Sequence, residues 1–175
     1  RLAADTTGIG AFSFRERRCD PQAEAERLSV VDAFERYAGI DLFATMDADG
    51  VPDGNALAAE MAHVGMSLSD DRSWSYLFTQ ILLERVEPQL GNGRVTVLDR
   101  YPACEAALAR RVPGDRRVSE RFEVYACGVE LANGFGEWPR NSAFMASAIR
   151  STRIFWRRWI SCRRQAGWRW VLTGW

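Results

Sequence analysis

Period-two alternation, broken once by a small-residue turn, runs through E-R-F-E-V-Y-A-C-G-V-E-L-A-N-G-F-G-E from Glu120 to Glu137. Arg121–Tyr125 and Val129–Phe135 each alternate polar and apolar residues, with Ala126-Cys127-Gly128 between them. That pattern predicts a β-hairpin. The same eighteen residues hold four carboxylates and one asparagine. Cross-strand neighbours sit about 5 Å apart, so a hairpin can bring Glu123 and Glu130 together. Two carboxylates that close repel unless a proton or a cation intervenes. A hard dication such as Mg²⁺, bridging to substrate phosphates, is the usual reason for such a pair. The plainer alternative is a row of acids solvating the outer face of a sheet.

The hairpin text resembles the segment between motifs 2 and 3 of class II lysyl-tRNA synthetases, where R-F-E precedes G-x-E-[IL]-x-N-x-[FY]-x-E. It is closer still to their tRNA-independent paralogues, the ligases that attach a lysine-type residue to elongation factor P, with E-R-F-E-V-Y followed by G-[IV]-E-L-A-N-G-F-x-E-L. Upstream, a strand-like Val95–Leu98, then Tyr101-Pro102-Ala103, Ala106-Ala107-Leu108-Ala109 and Arg117-Val118, resembles the same families' approach to this motif. The match is specific over Val95–Glu137 and diffuse before it.

The resemblance implies an α/β (α+β) fold of the class II aminoacyl-tRNA synthetase type, a mainly antiparallel sheet with flanking helices, here incomplete. It implies that Glu123 and Glu130 hold Mg²⁺ on the phosphates of ATP, and that Leu131 offers backbone contact near the nucleotide. Asn133 would bind the substrate carboxylate, and Glu137 an amino group of lysine or β-lysine. No acid, base or nucleophile of the reaction is assigned to this chain. The implied reaction is ATP-dependent formation of a lysyl or β-lysyl adenylate, followed by transfer to a lysine side chain of elongation factor P. A lysyl-tRNA synthetase is the alternative, and the A-N-G-F text speaks against tRNA as partner. The parent enzyme is expected to be a homodimer. Motifs 1 and 2 would precede Arg1, and motif 3 is not readable after Glu137, so the chain reads as a C-terminal fragment, inactive by itself.

Charge divides the chain sharply. Residues 1–137 contain all 23 acids and 15 of the 23 arginines, a net of −8, whereas residues 138–175 contain eight arginines and no acid. Six of the seven tryptophans also fall in the second part, and there is no lysine anywhere. The expected organisation is therefore a partial catalytic domain over 1–137 and an aberrant tail over 138–175. Tryptophan has one codon, TGG, which pins the bases beneath Trp168–Trp175. Read one base earlier, they force [LMV]-A-[LMV]-G and permit D-R two residues on, the motif 3 pattern G-V-A-L-G-F-D-R-L. The tail thus reads as out-of-frame translation beginning near Glu137. The forced alanine favours the elongation-factor-modifying paralogues. Taken at face value, the arginines and tryptophans could instead grip nucleic acid or an anionic membrane.

The remaining text sets further expectations. No charged-then-apolar leader and no apolar run of about 18–20 residues is present. The four cysteines show no C-x-x-C spacing, so a reduced, cytoplasmic protein without membrane contact is expected. Ser29 should cap a helix that Gly39 stops, and Asn55–Met66 should form another. Trp74, Leu77, Phe78, Ile81, Leu82 and Val86 mark one face of an amphipathic helix ended by Pro88 and Gly91. His63 is given no role, and Asp99 and Arg100 could pair or face the site, with a solvated strand end the expected placement.

Overall fold

The computed structural model describes residues 10–106 and 109–136. Three helices and three small sheets make up this part, in a mixed α/β arrangement whose sheets are mainly antiparallel. The central sheet has four strands, β3 (Glu26–Ser29), β5 (Thr96–Asp99), β8 (Arg121–Ala126) and β9 (Val129–Phe135). β3 and β5 run parallel, and β5, β8 and β9 are successively antiparallel. A second sheet joins the hairpin β1 (Phe12–Phe14) and β2 (Arg17–Asp20) to β4 (Gly93–Arg94). A short hairpin of β6 (Arg111–Val112) and β7 (Asp115–Ser119) lies between β5 and β8 in the chain.

Local sequence explains the helix boundaries. Helix α1 (Val30–Ala38) begins where the Ser29 hydroxyl accepts from the amide of Asp32 at 3.1 Å, and ends where Gly39 turns left-handed at φ 72°. Helix α2 (Gly54–His63) starts one residue earlier than the sequence suggests and stops three earlier than Met66. Its cap is Asp53, whose carboxylate accepts from the amides of Asn55 and Ala56, and a carboxylate there also meets the positive end of the helix dipole. Helix α3 (Trp74–Ile81) covers only the first four of the six residues of the apolar stripe. From Leu82 to Val86 the chain widens into a π-turn, and Glu87–Gln89 tightens again into a 3₁₀ turn. Pro88 lies within that last turn rather than after it, where its missing N–H costs nothing, and the segment ends at Leu90, which is extended.

The apolar faces of all three helices meet in one core with Leu28, Leu98, Tyr101 and Tyr125. Phe78 is sandwiched there, stacked on Phe34 at 4.9 Å and on Trp74 at 5.1 Å between centroids. Such pairs add about 0.5–1.5 kcal/mol to their burial. The indole N–H of Trp74 donates to Thr45 Oγ1 at 3.0 Å, so the buried ring leaves no orphaned donor. A smaller cluster of Cys19, Ala126 and Cys127, with Phe12, Val95 and Leu131 against it, links the two larger sheets.

Asp99 departs from the sequence reading. It is buried rather than solvated at a strand end, and accepts from Nε of Arg27 on the neighbouring strand β3. Parallel pairing of Ser29 with Asp99 places the two side chains within reach, and the ion pair compensates the burial of the carboxylate.

Candidate functional site

The hairpin of β8 and β9 forms where the alternation predicts it. Its turn places both Cys127 (φ 57°) and Gly128 (φ 71°) in the left-handed region. Two successive positive φ values give the two-residue turn that matches the right-handed twist of paired strands. The turn is docked as well as closed, since the Cys127 amide donates to Gly91 O and the Gly128 amide to Leu90 O, each at 2.8 Å. A side chain at Gly91 would lie 2.4 Å from the Cα of Ala126, so the approach requires glycine.

Register then decides which side chains meet. Near the turn Ala126 pairs with Val129 and Tyr125 with Glu130; farther out Val124 pairs with Ala132 and Glu123 with Asn133. Leu131 is passed over, a β-bulge in β9. In a regular strand Glu130 and Asn133, three residues apart, would project to opposite faces. The extra residue reverses the parity beyond it. Glu123, Tyr125, Glu130 and Asn133 therefore share one face, while Leu131 packs into the small cluster on the other side. Glu123 and Glu130 are diagonal neighbours across the strands rather than direct partners.

Glu123 is the most enclosed acid of the hairpin, 4% exposed. Its Oε2 accepts from the hydroxyls of Tyr101 at 2.5 Å and Tyr125 at 2.6 Å. Its Oε1 accepts from Nη2 of Arg121 at 2.7 Å and Nδ2 of Asn133 at 3.0 Å. A carboxylate offers about four lone-pair positions, and here all four are taken by protein donors. Arg121 is itself held, its guanidinium 4.4 Å from the centroid of the Tyr101 ring and its Nη1 donating to Glu105 O at 2.6 Å. Burial first, then the charge of the Glu123 carboxylate and the hydrogen bond each hydroxyl gives to it, push both tyrosine hydroxyls above their ordinary pKa, so they stay protonated and donate.

Glu130 is the opposite case. It is exposed on β9, yet partial desolvation, then the charges of Glu123 and Glu87, push its carboxyl up to about 7. The Asn133 amide and Arg121 pull the other way. Glu87, at the end of the π-turn, completes the acidic group: its Oε1 lies 3.2 Å from the Tyr125 hydroxyl, and burial raises its pKa. Nothing in the local sequence around Val86-Glu87-Pro88 links it to a strand thirty-odd residues downstream. Tyr101 and Tyr125 carried more signal, because a buried tyrosine hydroxyl requires a partner and Tyr125 lies two residues from Glu123 on the same face.

The structure thus brings together Glu123, Glu130 and Asn133, and sets Leu131 aside on the opposite face. Glu137, the proposed amine-binding acid, lies outside the described residues, as does the tail over 138–175. Glu120 is taken up locally by Arg110, whose Nε donates to its carboxylate. His63 is exposed at the end of α2. Among the described residues no group of three His, Cys, Asp or Glu is arranged to hold a metal ion. A cation would find free lone pairs on Glu130, whose carboxylate is open to solvent, while Glu123 contributes its charge from behind a complete set of donors. With one of the two carboxylates saturated by protein donors, a hard dication here would have to take its remaining oxygens from substrate and water. No helix among the described residues is long and apolar enough to cross a membrane.

Known proteins share this segment. An elongation factor P–(R)-β-lysine ligase of Klebsiella pneumoniae is 40% identical over 121 residues, covering 68% of this chain and 34% of that protein. The corresponding ligase of Haemophilus influenzae is 37% identical over 119 residues, with the same coverage. A lysine–tRNA ligase of Dehalococcoides mccartyi is 38% identical over 111 residues, 63% of this chain and 21% of its own length. The chain carries a segment homologous to lysine ligases. The matched stretch belongs to the C-terminal part of those relatives, and the chain spans about a third of their length or less. No family model matches the chain.

Proposed function

We propose that this segment belongs to an adenylate-forming ligase of the class II synthetase type, which activates lysine or β-lysine with ATP and transfers it to a lysine side chain of elongation factor P. The observation that carries this reading is the bulged hairpin that sets Glu123, Glu130 and Asn133 on one face. In that enzyme Glu123 and Glu130 would be the residues that hold Mg²⁺ on the phosphates of ATP. The metal would supply neutralisation of the phosphate charge that grows as a substrate carboxylate attacks ATP. Backbone at Leu131 borders the nucleotide, and Asn133 presents amide hydrogens to the substrate carboxylate. Glu137 pairs with a substrate ammonium, because a cation in a closed site needs an anion.

The A-N-G-F text over Ala132–Phe135 favours elongation factor P over tRNA as acceptor. The similarity to a lysine–tRNA ligase keeps lysyl-tRNA synthesis as the second reading. We take the parent enzyme to be a cytoplasmic homodimer, residues 1–137 to be part of its catalytic domain, and residues 138–175 to be read out of frame. The decisive experiment sequences the locus, restores the open frame through motif 3, and assays the complete enzyme. Transfer of radiolabelled β-lysine or lysine to elongation factor P supports the first reading; charging of tRNA alone replaces it with the second. The 175-residue chain itself should show no lysine-dependent ATP–pyrophosphate exchange, and measurable exchange would refute its status as an inactive part.

A further inference from the structure

We propose that the cavity between the β1–β2 turn and the π-turn (Leu82–Val86) binds a small carboxylate carried on an apolar group, with Arg15 and Arg17 holding the carboxylate. The cavity measures about 280 Å³, near the lower end of what small ligands occupy. Phe14, Leu83 and Pro88 give it apolar wall, and Gly128 brings in the turn of the β8–β9 hairpin. Phe14 is 46% exposed and Leu83 55%, two of the four large hydrophobic side chains that stand exposed among the described residues. Exposed apolar surface gathered at one concave place marks a contact site more than scattered residues do. Beside two guanidiniums, it suits a ligand with one charged end and one apolar end.

Backbone geometry places both arginines. Phe14 pairs with Arg17, so Arg15 and Glu16 form a two-residue turn. Arg15 stands there at φ 53°, in the left-handed region where hairpin turns ordinarily put glycine or asparagine. Its guanidinium lies 5.5 Å from the centroid of the Phe14 ring, and a strained backbone of this kind is a mark of functional positions. Arg17 depends on a side chain that is missing opposite it. Its Nη1 lies 2.0 Å from where a Cβ at Gly128 would stand, and Gly128 is itself at φ 71°. Seven arginines of the described residues hold an acid within 3.5 Å, and neither Arg15 nor Arg17 is among them. Glu87 is the acid that lines the cavity, with Oε1 at 3.2 Å from the Tyr125 hydroxyl. Glu16 is exposed and does not line it. The guanidinium fork matches the two oxygens of a carboxylate. One carboxylate brings two guanidiniums and the Glu87 anion to neutrality, whereas a phosphate dianion adds a charge that nothing there balances.

The test titrates the 175-residue chain with 3-phenylpropionate, followed by nuclear magnetic resonance of the probe, with 3-phenylpropan-1-ol and phenyl phosphate as comparisons. Thermal unfolding is measured in parallel, and the variants are Arg15→Gly and Arg17→Ala. The expected result is saturable binding of the carboxylate, with the alcohol about tenfold weaker or more. Each variant should weaken binding of the carboxylate about tenfold. Arg15→Gly separates binding from folding, because glycine adopts φ 53° without strain; its unfolding temperature should hold while its affinity falls. An Arg15→Gly chain that no longer unfolds cooperatively would make Arg15 a structural residue and overturn its assigned role. If Arg17→Ala does not fold, Arg15→Gly decides alone. Equal binding of acid and alcohol, variants that bind like wild type, or no saturable binding at all would each overturn the site. Tighter binding of phenyl phosphate would overturn the preference for a carboxylate.

Discussion

Glu123 and Glu130 stand seven residues apart on one face of one hairpin and live in different chemical worlds. Glu123 is enclosed and holds four donors from three parts of the chain. Glu130 is exposed, and partial desolvation, then the negative charge around it, raises its proton affinity. The first acid is a built component of the fold, and the second is the place where the fold has left charge uncompensated. A sequence shows two glutamates; only their surroundings show which one structure has consumed and which it has left for a ligand.

The contrast breaks most visibly at Glu123. Replacing it with alanine strands two tyrosine hydroxyls, a guanidinium and an amide in a buried space, so unfolding in denaturant should reveal a loss of about 3–5 kcal/mol. Glu130→Ala should cost almost nothing in the same measurement, and equal losses at both positions would dissolve the distinction. Next in size is Gly91→Ala, which forces a side chain into Ala126 at a positive φ of 69°. The turn of the hairpin must lift from Leu90-Gly91, and a loss above about 2 kcal/mol is expected. Removing the cap of α2 by Asp53→Ala should cost about 1 kcal/mol in the same denaturant measurement, and an unchanged stability would deny the carboxylate its capping role.

The smallest effect is one of pH. Because the folded chain binds the Glu130 proton more tightly than the unfolded chain does, this group contributes stability that is fully present below about pH 4.5 and lost as pH rises through about 7. Glu130→Gln should flatten that part of the profile. At pH 8 it should unfold a few degrees above wild type, a gain of at most about 1 kcal/mol because the carboxylate keeps contact with water. A variant less stable than wild type at pH 8 would reverse the assigned sign.

Much of the hairpin was legible in the sequence because period two and a small-residue turn admit few alternatives. The helix cap at Ser29 and the stop at Gly39 were legible for the same local reason. The bulge at Leu131 was not, since E-L-A-N-G contains no residue that demands one at that position, and without it Asn133 would face away from both glutamates. Nor could the apolar stripe from Trp74 to Val86 announce its π-turn, which satisfies the same spacing of buried residues while turning Glu87 toward the sheet. Asp99 was misread because its compensation comes from Arg27, seventy-two residues away, and long-range pairing leaves no mark on local text.

The Tyr125 hydroxyl owns a single hydrogen and lies within bonding reach of two carboxylates, at 2.6 Å from Glu123 and 3.2 Å from Glu87. The hydroxyl gives that hydrogen mainly along the shorter contact and only weakly to Glu87 along the longer one. Glu87 is thus tied to the central strand by the smaller share of a single hydrogen. The attachment of helix to sheet is carried instead by main-chain bonds from Cys127 and Gly128 to Gly91 and Leu90, which no change of charge on Glu87 can undo.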